Sequence, residues 1–179
     1  MGGARGLRAA SFALTVGGAL LAAGWTTITW TSSGLRRDPG GILDLEFRGL
    51  DMPEGVATLV VSGLVIALFL GLRRRRGNPR ILGIGLLLAG LALVALPARV
   101  AIRAEDRAVD EVANVVARSA GVTMEEARER VRTDPDLAVR TDSSGVWPSI
   151  ATGVLVTLGA VSTLLWIARR PPDLVAEAT

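Results

Sequence analysis

Four apolar runs divide the chain, at roughly 7–30, 56–72, 81–98 and 146–168. No Asp, Glu or Arg lies between Ala9 and Trp30, Gly55 and Leu72, Ile81 and Ala98, or Gly145 and Ala168. Each run is near the roughly 17–25 residues that a helix needs to cross the hydrocarbon core of a bilayer. Lipid offers backbone groups no partners, so a helix, which bonds them internally, is the state expected of each run. The pattern predicts an all-α integral membrane protein, a four-helix transmembrane bundle in one domain over 1–179. Its connections would be two longer loops, 31–55 and 99–145, and a short loop, 73–80. The first run admits a second reading. Arg5 and Arg8 precede a short apolar stretch, and Ala22-Ala23-Gly24 resembles a cleavage site for a secretory signal. Apolar character continues through Trp25, Ile28 and Trp30, which favours a retained helix.

The two longer loops carry periodicities of their own. Leu43, Leu45 and Phe47 alternate with Asp44, Glu46 and Arg48, the period-2 pattern of a half-buried strand over Ile42 to Arg48. Thr27-Ile28-Thr29-Trp30-Thr31 alternates too, and Asp38-Pro39-Gly40-Gly41 between them is a strong turn signal. A β-hairpin follows. In the long loop, Val109, Val112 and Val116 share one helical face over Glu105 to Ala120. Gly121 breaks that pattern, Thr123-Met124-Glu125-Glu126 starts a second helix as a capping box, and Asp134-Pro135 closes it. The hairpin and these helices would form a small extracytoplasmic cap.

Charge sets the expected orientation. Arg73, Arg74, Arg75, Arg76 and Arg80 crowd the short loop, Arg5 and Arg8 precede the first run, and Arg169 and Arg170 follow the last. The two longer loops are acidic on balance, so the positive-inside rule places them outside and both termini and the 73–80 loop in the cytoplasm. Trp25, Trp30 and Trp147 then fall at the outer boundary and Trp166 at the inner one, as an interfacial aromatic belt.

Composition narrows the chemistry. The 179 residues are 50% hydrophobic with a net charge of +3, and all 20 basic residues are Arg. The excess of arginine over acidic residues clusters at membrane boundaries, which argues for a lipid bilayer as partner and against nucleic acid. Cys, His and Tyr do not occur, so no disulfide, thiolate metal site or imidazole base is available. No catalytic residue, metal ligand or cofactor site can be assigned, and the expectation is a non-enzymatic protein. The acidic pairs Glu105/Asp106 and Asp110/Glu111 lack the spacing of a calcium loop and read as a solvated helix face. Arg99 and Arg103 read as side chains reaching to the interface, with an anionic headgroup as the other possibility. Pro97 would kink the third helix or mark its loosening near the surface. Small residues four apart, Gly18/Ala22, Gly63/Ala67/Gly71 and Gly85/Ala89, suit close helix contact, although Ala/Gly-rich composition also produces them.

Gly49-Leu50-Asp51-Met52-Pro53 leads into an Ala/Val/Leu run, followed by the Arg-rich turn Arg73 to Arg80. A glycine-rich third run, Gly83 to Gly90, comes next, and Trp147-Pro148 opens the last run. In this order of features the chain resembles the tryptophan-associated (trp-operon region) transmembrane proteins of actinobacteria, from the first run to about Arg170. The resemblance implies four spans and a place near tryptophan biosynthesis genes, and carries no catalytic residues over. The four-span plan with strands after the first helix is also similar to the claudin architecture, a likeness of fold alone. The functional expectation is an accessory or interaction subunit that uses its outer cap. A membrane or envelope protein would be the partner, with self-association as a further form. The alternative is a component of a transporter or channel for a small molecule such as an aromatic amino acid.

Overall fold

The computed structural model describes residue 6 and residues 9–35, 45–74 and 78–168. The first helix, α1, runs Ala9–Trp25 and carries a π-helical turn at Ala13–Gly17. It ends where β-branched residues begin. The hydroxyls of Thr26 and Thr27 donate to the carbonyls of Ala23 (2.7 Å) and Gly24 (2.8 Å), closing the last turn. The chain then extends into β1, Thr29–Leu35. The expected first span, 7–30, is therefore too long: Trp30 lies in a strand.

β2 spans Leu45–Arg48, and a 3-10 turn at Gly49–Asp51 feeds α2, Pro53–Arg73. Pro53 suits the first helical position, where its missing N–H costs no bond. α3 is a 42-residue helix, Pro79–Ala120, capped by Asn78, whose side-chain oxygen accepts from the Arg80 N–H at 3.0 Å. α4 is Met124–Thr133, β3 Val139–Asp142, and α5 Trp147–Ala168. Of these helices, α2, α3 and α5 are long and apolar enough to cross a membrane. α1 is apolar but shorter, about 26 Å at 1.5 Å per residue.

Expectation and structure part most clearly at Pro97. The third run does not end near residue 98 in a loop; α3 continues through a buried Pro97 to Ala120. The segment after Pro97 is rich in Ala and Arg, good helix formers, and one proline removes only one backbone bond. At about 63 Å, α3 is twice as long as a bilayer core of about 30 Å is thick, so its second half projects beyond it. Gly121 stops it with φ +64°, the left-handed conformation that glycine adopts without strain. Thr123 then caps α4 by accepting from the Glu126 N–H at 3.3 Å, as the capping-box pattern predicts.

The hairpin also has an addition. β1 and β2 pair antiparallel, with Thr31 opposite Phe47 and Ser33 opposite Leu45. β3 joins the other edge, with Ser33 opposite Thr141 and Leu35 opposite Val139, giving a sheet of order β2-β1-β3. Val139 and Thr141 alternate with Arg140 and Asp142, half-buried against exposed, but a run of four residues is too short to stand out in the sequence. The Asp38–Gly41 turn and the Ile42–Asp44 start of the expected strand lie outside the described residues, as do Arg5, Arg8, Arg169 and Arg170.

Three clusters hold these elements together. In the bundle, Ala19, Ala22, Val65, Leu86, Leu93, Val156 and Ala160 are buried together. α3 and α5 touch nearly backbone to backbone. A methyl group added at Gly90 would lie 2.8 Å from Thr157 Oγ1, and one at Gly153 would lie 2.7 Å from the Leu93 carbonyl. That carbonyl is the one Pro97 leaves without an N–H partner, so glycine fits where the helix lacks a bond. Of the small-residue pairs, Gly18 packs on Val156 and Ala22 is buried, as close contact requires. Gly63 and Ala67 face outward, with nothing near Gly63. Gly85 meets only the side chain of Leu68, and Gly71 that of Leu82. Farther along α3, Val112 and Ala113 pack on Ala127 and Val131 of α4. Between these two clusters lies a third, at the base of the cap.

Candidate functional site

Trp30 is the centre of that third cluster. It is fully enclosed, packed with Met52, Val100 and Val146, and its indole N–H donates to the Trp25 carbonyl at 2.7 Å. Its expected role in an interfacial belt is thereby corrected: a large indole with a satisfied N–H forms the core of the cap. Backbone segments press against it. The Gly49 N–H donates to the Ile28 carbonyl at 3.1 Å and the Leu50 N–H to the Thr26 carbonyl at 2.9 Å. A methyl group on Gly49 would meet the Trp30 ring and Thr26 at 2.7 Å, and one on Gly145 would strike the Thr29 carbonyl. From the other side, the Ser144 N–H donates to Asp142 Oδ1 at 2.8 Å, which fixes the turn that places Val146. That bond holds the Asp142 carboxyl below the ordinary carboxylate range.

One ion pair ties the start of α2 to the projecting half of α3. Arg107 donates from Nη2 to Glu54 Oε1 at 2.5 Å and from Nη1 to Met52 Sδ at 3.5 Å. The Glu54 side chain is only 9% exposed and that of Arg107 37%, so the pair is partly desolvated. Removing one partner would strand a charge in a poorly hydrated place. Glu54 Oε2 has no protein partner among the described residues.

Beside the pair opens a cleft of about 350 Å³ between the inner face of the sheet and α3. Its buried floor is Met52, Val100, Ala104 and Ala108 together with Thr31 and Ser33 of β1. Asp51, Asp110 and Glu111 stand exposed at its edge, with Phe47, Pro53 and Arg107 completing the wall. A second groove, of about 470 Å³, lies between α3 and α4 and is lined wholly by charged residues. There Arg128 Nε donates to Asp110 Oδ1 at 2.7 Å. Among the described residues no group of three or more possible ligands is placed to hold a metal ion.

The residues singled out from the sequence are dispersed. Arg73, Arg74 and Arg80 are exposed at the end of the bundle opposite the cap, and Arg75 and Arg76 lie outside the described residues. The Arg73 guanidinium sits 5.8 Å above the Phe12 ring, which in turn packs 5.7 Å from Phe69. Trp147 is 62% exposed at the first residue of α5, while Trp25 and Trp166 are half-buried. Arg99 and Arg103 are exposed on α3 one turn apart. What sequence reasoning missed is the pairing of Glu54 with Arg107 and the meeting of Thr31 and Ser33 with Arg107 around one cleft. The one available signal was the i, i+4 continuation of Arg99 and Arg103 to Arg107. No family model matches this chain, and neither a curated protein nor a solved structure matches it.

Proposed function

We propose that the chain is a multi-pass protein of the cell membrane with four spans, the basic 73–80 loop and both termini cytoplasmic, and the cap outside. Its function in this reading is non-enzymatic: the cap is a recognition surface through which it serves as an accessory subunit of another membrane or envelope protein. The observation that supports this most is α3, one uninterrupted helix shared by bundle and cap. An interaction at the cap would reach the bundle along this helix, whose one missing bond, at Pro97, is packed against Gly153 of α5. The apolar runs without a charged side chain point the same way, since transport pathways usually expose ionisable groups to their interior. The resemblance to the tryptophan-associated family agrees with four spans and stays a proposal of kinship.

The test is mild-detergent capture of the tagged protein at native expression, with mass spectrometry of what accompanies it. A stoichiometric membrane partner, retained in a variant with an altered 73–80 loop and lost in one with Trp30→Ala, is the expected result. A lone protein, together with flux of an aromatic amino acid into vesicles above the empty-vesicle rate, would replace this reading with the transporter one.

A further inference from the structure

The cleft under the sheet has the build of a small-molecule site, a role separate from any docking of a protein on the cap. Its volume, about 350 Å³, lies at the lower end of the range of such sites. Its floor is apolar except at two points. Thr31 and Ser33 are each only 5% exposed, and both line the cleft. Neither hydroxyl makes a hydrogen bond to another described residue, although both residues are buried and both line the cleft. A buried hydroxyl without a protein partner must find one in whatever fills the space beside it.

Charge at the edge selects the other end of the ligand. Three carboxylates, Asp51, Asp110 and Glu111, face one guanidinium, Arg107, which is already committed to Glu54. Asp110 is paired with Arg128, and Asp51 accepts from the Arg48 N–H at 3.0 Å. Glu111 has no such partner among the described residues. The edge is therefore net negative over an apolar, hydroxyl-bearing floor. We propose that this cleft binds a small amphipathic molecule bearing a protonated amine, its apolar body on Met52, Val100 and Ala104 and its ammonium at Glu111. Thr31 and Ser33 take the hydrogen bonds of a polar group carried on the body, or of a water bound with it.

Met52 supplies a reporter, since it lines the cleft, while Met124 on α4 is not among the lining residues. Protein labelled with ¹³C at the Met methyl groups, in nanodiscs of phosphatidylcholine, is titrated with hexylamine, hexanol and hexanoate. Hexylamine is protonated at pH 7, as a Lys ammonium is. A saturable shift of the Met52 methyl with hexylamine, weaker with hexanol and weakest with hexanoate, and no shift of Met124, is expected. Glu111→Gln weakens the hexylamine response about two- to fivefold, the loss of one exposed charge contact, and leaves hexanol unchanged. Glu111 is exposed, so this variant folds as the parent does. Discs containing phosphatidylethanolamine separate the sources of amine. A Met52 shift before any addition, with hexylamine then competing, identifies the lipid headgroup; an unshifted start identifies a soluble amine. Equal, unsaturable shifts from all three probes, or preference for hexanoate, would overturn the proposal.

Discussion

The bundle and the cap of this protein are held together in opposite ways. In the bundle the contacts are made by small residues: Gly18 on Val156, Gly90 on Thr157, Gly153 on the Leu93 carbonyl. Hydroxyls supplement them, as where Ser11 bonds the Gly159 carbonyl at 3.2 Å across the α1–α5 contact. In the cap the centre is a single large indole, Trp30, flanked by the Glu54–Arg107 pair and a three-stranded sheet. The contrast follows from the solvent. Lipid tails are as apolar as leucine, so helices gain nothing there by hiding apolar surface and must gain from close approach. Water drives burial, so in the cap the largest apolar side chain is the most valuable. The apolar residues pointing out of the bundle, Val60, Ile81 and Leu88 among them, fit the same account, because lipid covers them.

Substitutions at matched positions would break or sharpen this contrast. The largest expected effect is in the cap. Trp30→Ala should cost about 3–5 kcal/mol there, as truncation of a buried aromatic does. Hydrogen exchange in nanodiscs should show lost protection over β1, β2 and β3 while α2 and α5 stay protected; loss across both regions alike would show that they fold as one unit. Next comes the bundle. Gly153→Val should cost about 1–3 kcal/mol by overpacking α3 against α5, read as a lower midpoint of denaturant unfolding in micelles. Survival of the full midpoint would mean that the α3–α5 contact is looser than its glycines suggest. Smallest is Gly63→Val, the same change made on the outward face, with an expected shift within about 0.5 kcal/mol. A large loss there would reveal a partner helix seated on that face.

The elements themselves were largely legible in the sequence. The apolar runs without charge marked α2, α3 and α5, and the 3.6-residue spacing of valines marked the projecting half of α3. Gly121 and Thr123 placed the break before α4 to within a residue. These signals are local: each depends on backbone preference or on a face of one element. The first run was read too far, through Trp30, because hydropathy cannot separate an apolar helix from the apolar strand that follows it. Pro97 looked like a boundary because its cost was weighed alone, without the packing that carries the helix through it.

What the chain determined by itself was therefore the partition of the molecule, apolar helices for one environment and an amphipathic cap for another. Hydrophobic periodicity and unbroken apolar length are properties of neighbours in sequence. Only the tertiary structure decided that β3 completes the sheet, that Trp30 is a core residue, and that Glu54 meets Arg107. Those outcomes join residues far apart along the chain, and their energies exist only once the backbone has brought them within contact. The cleft belongs to the same class. Thr31 and Ser33 on a strand and Glu111 on a helix are unremarkable until the sheet lies against α3 and leaves room between them.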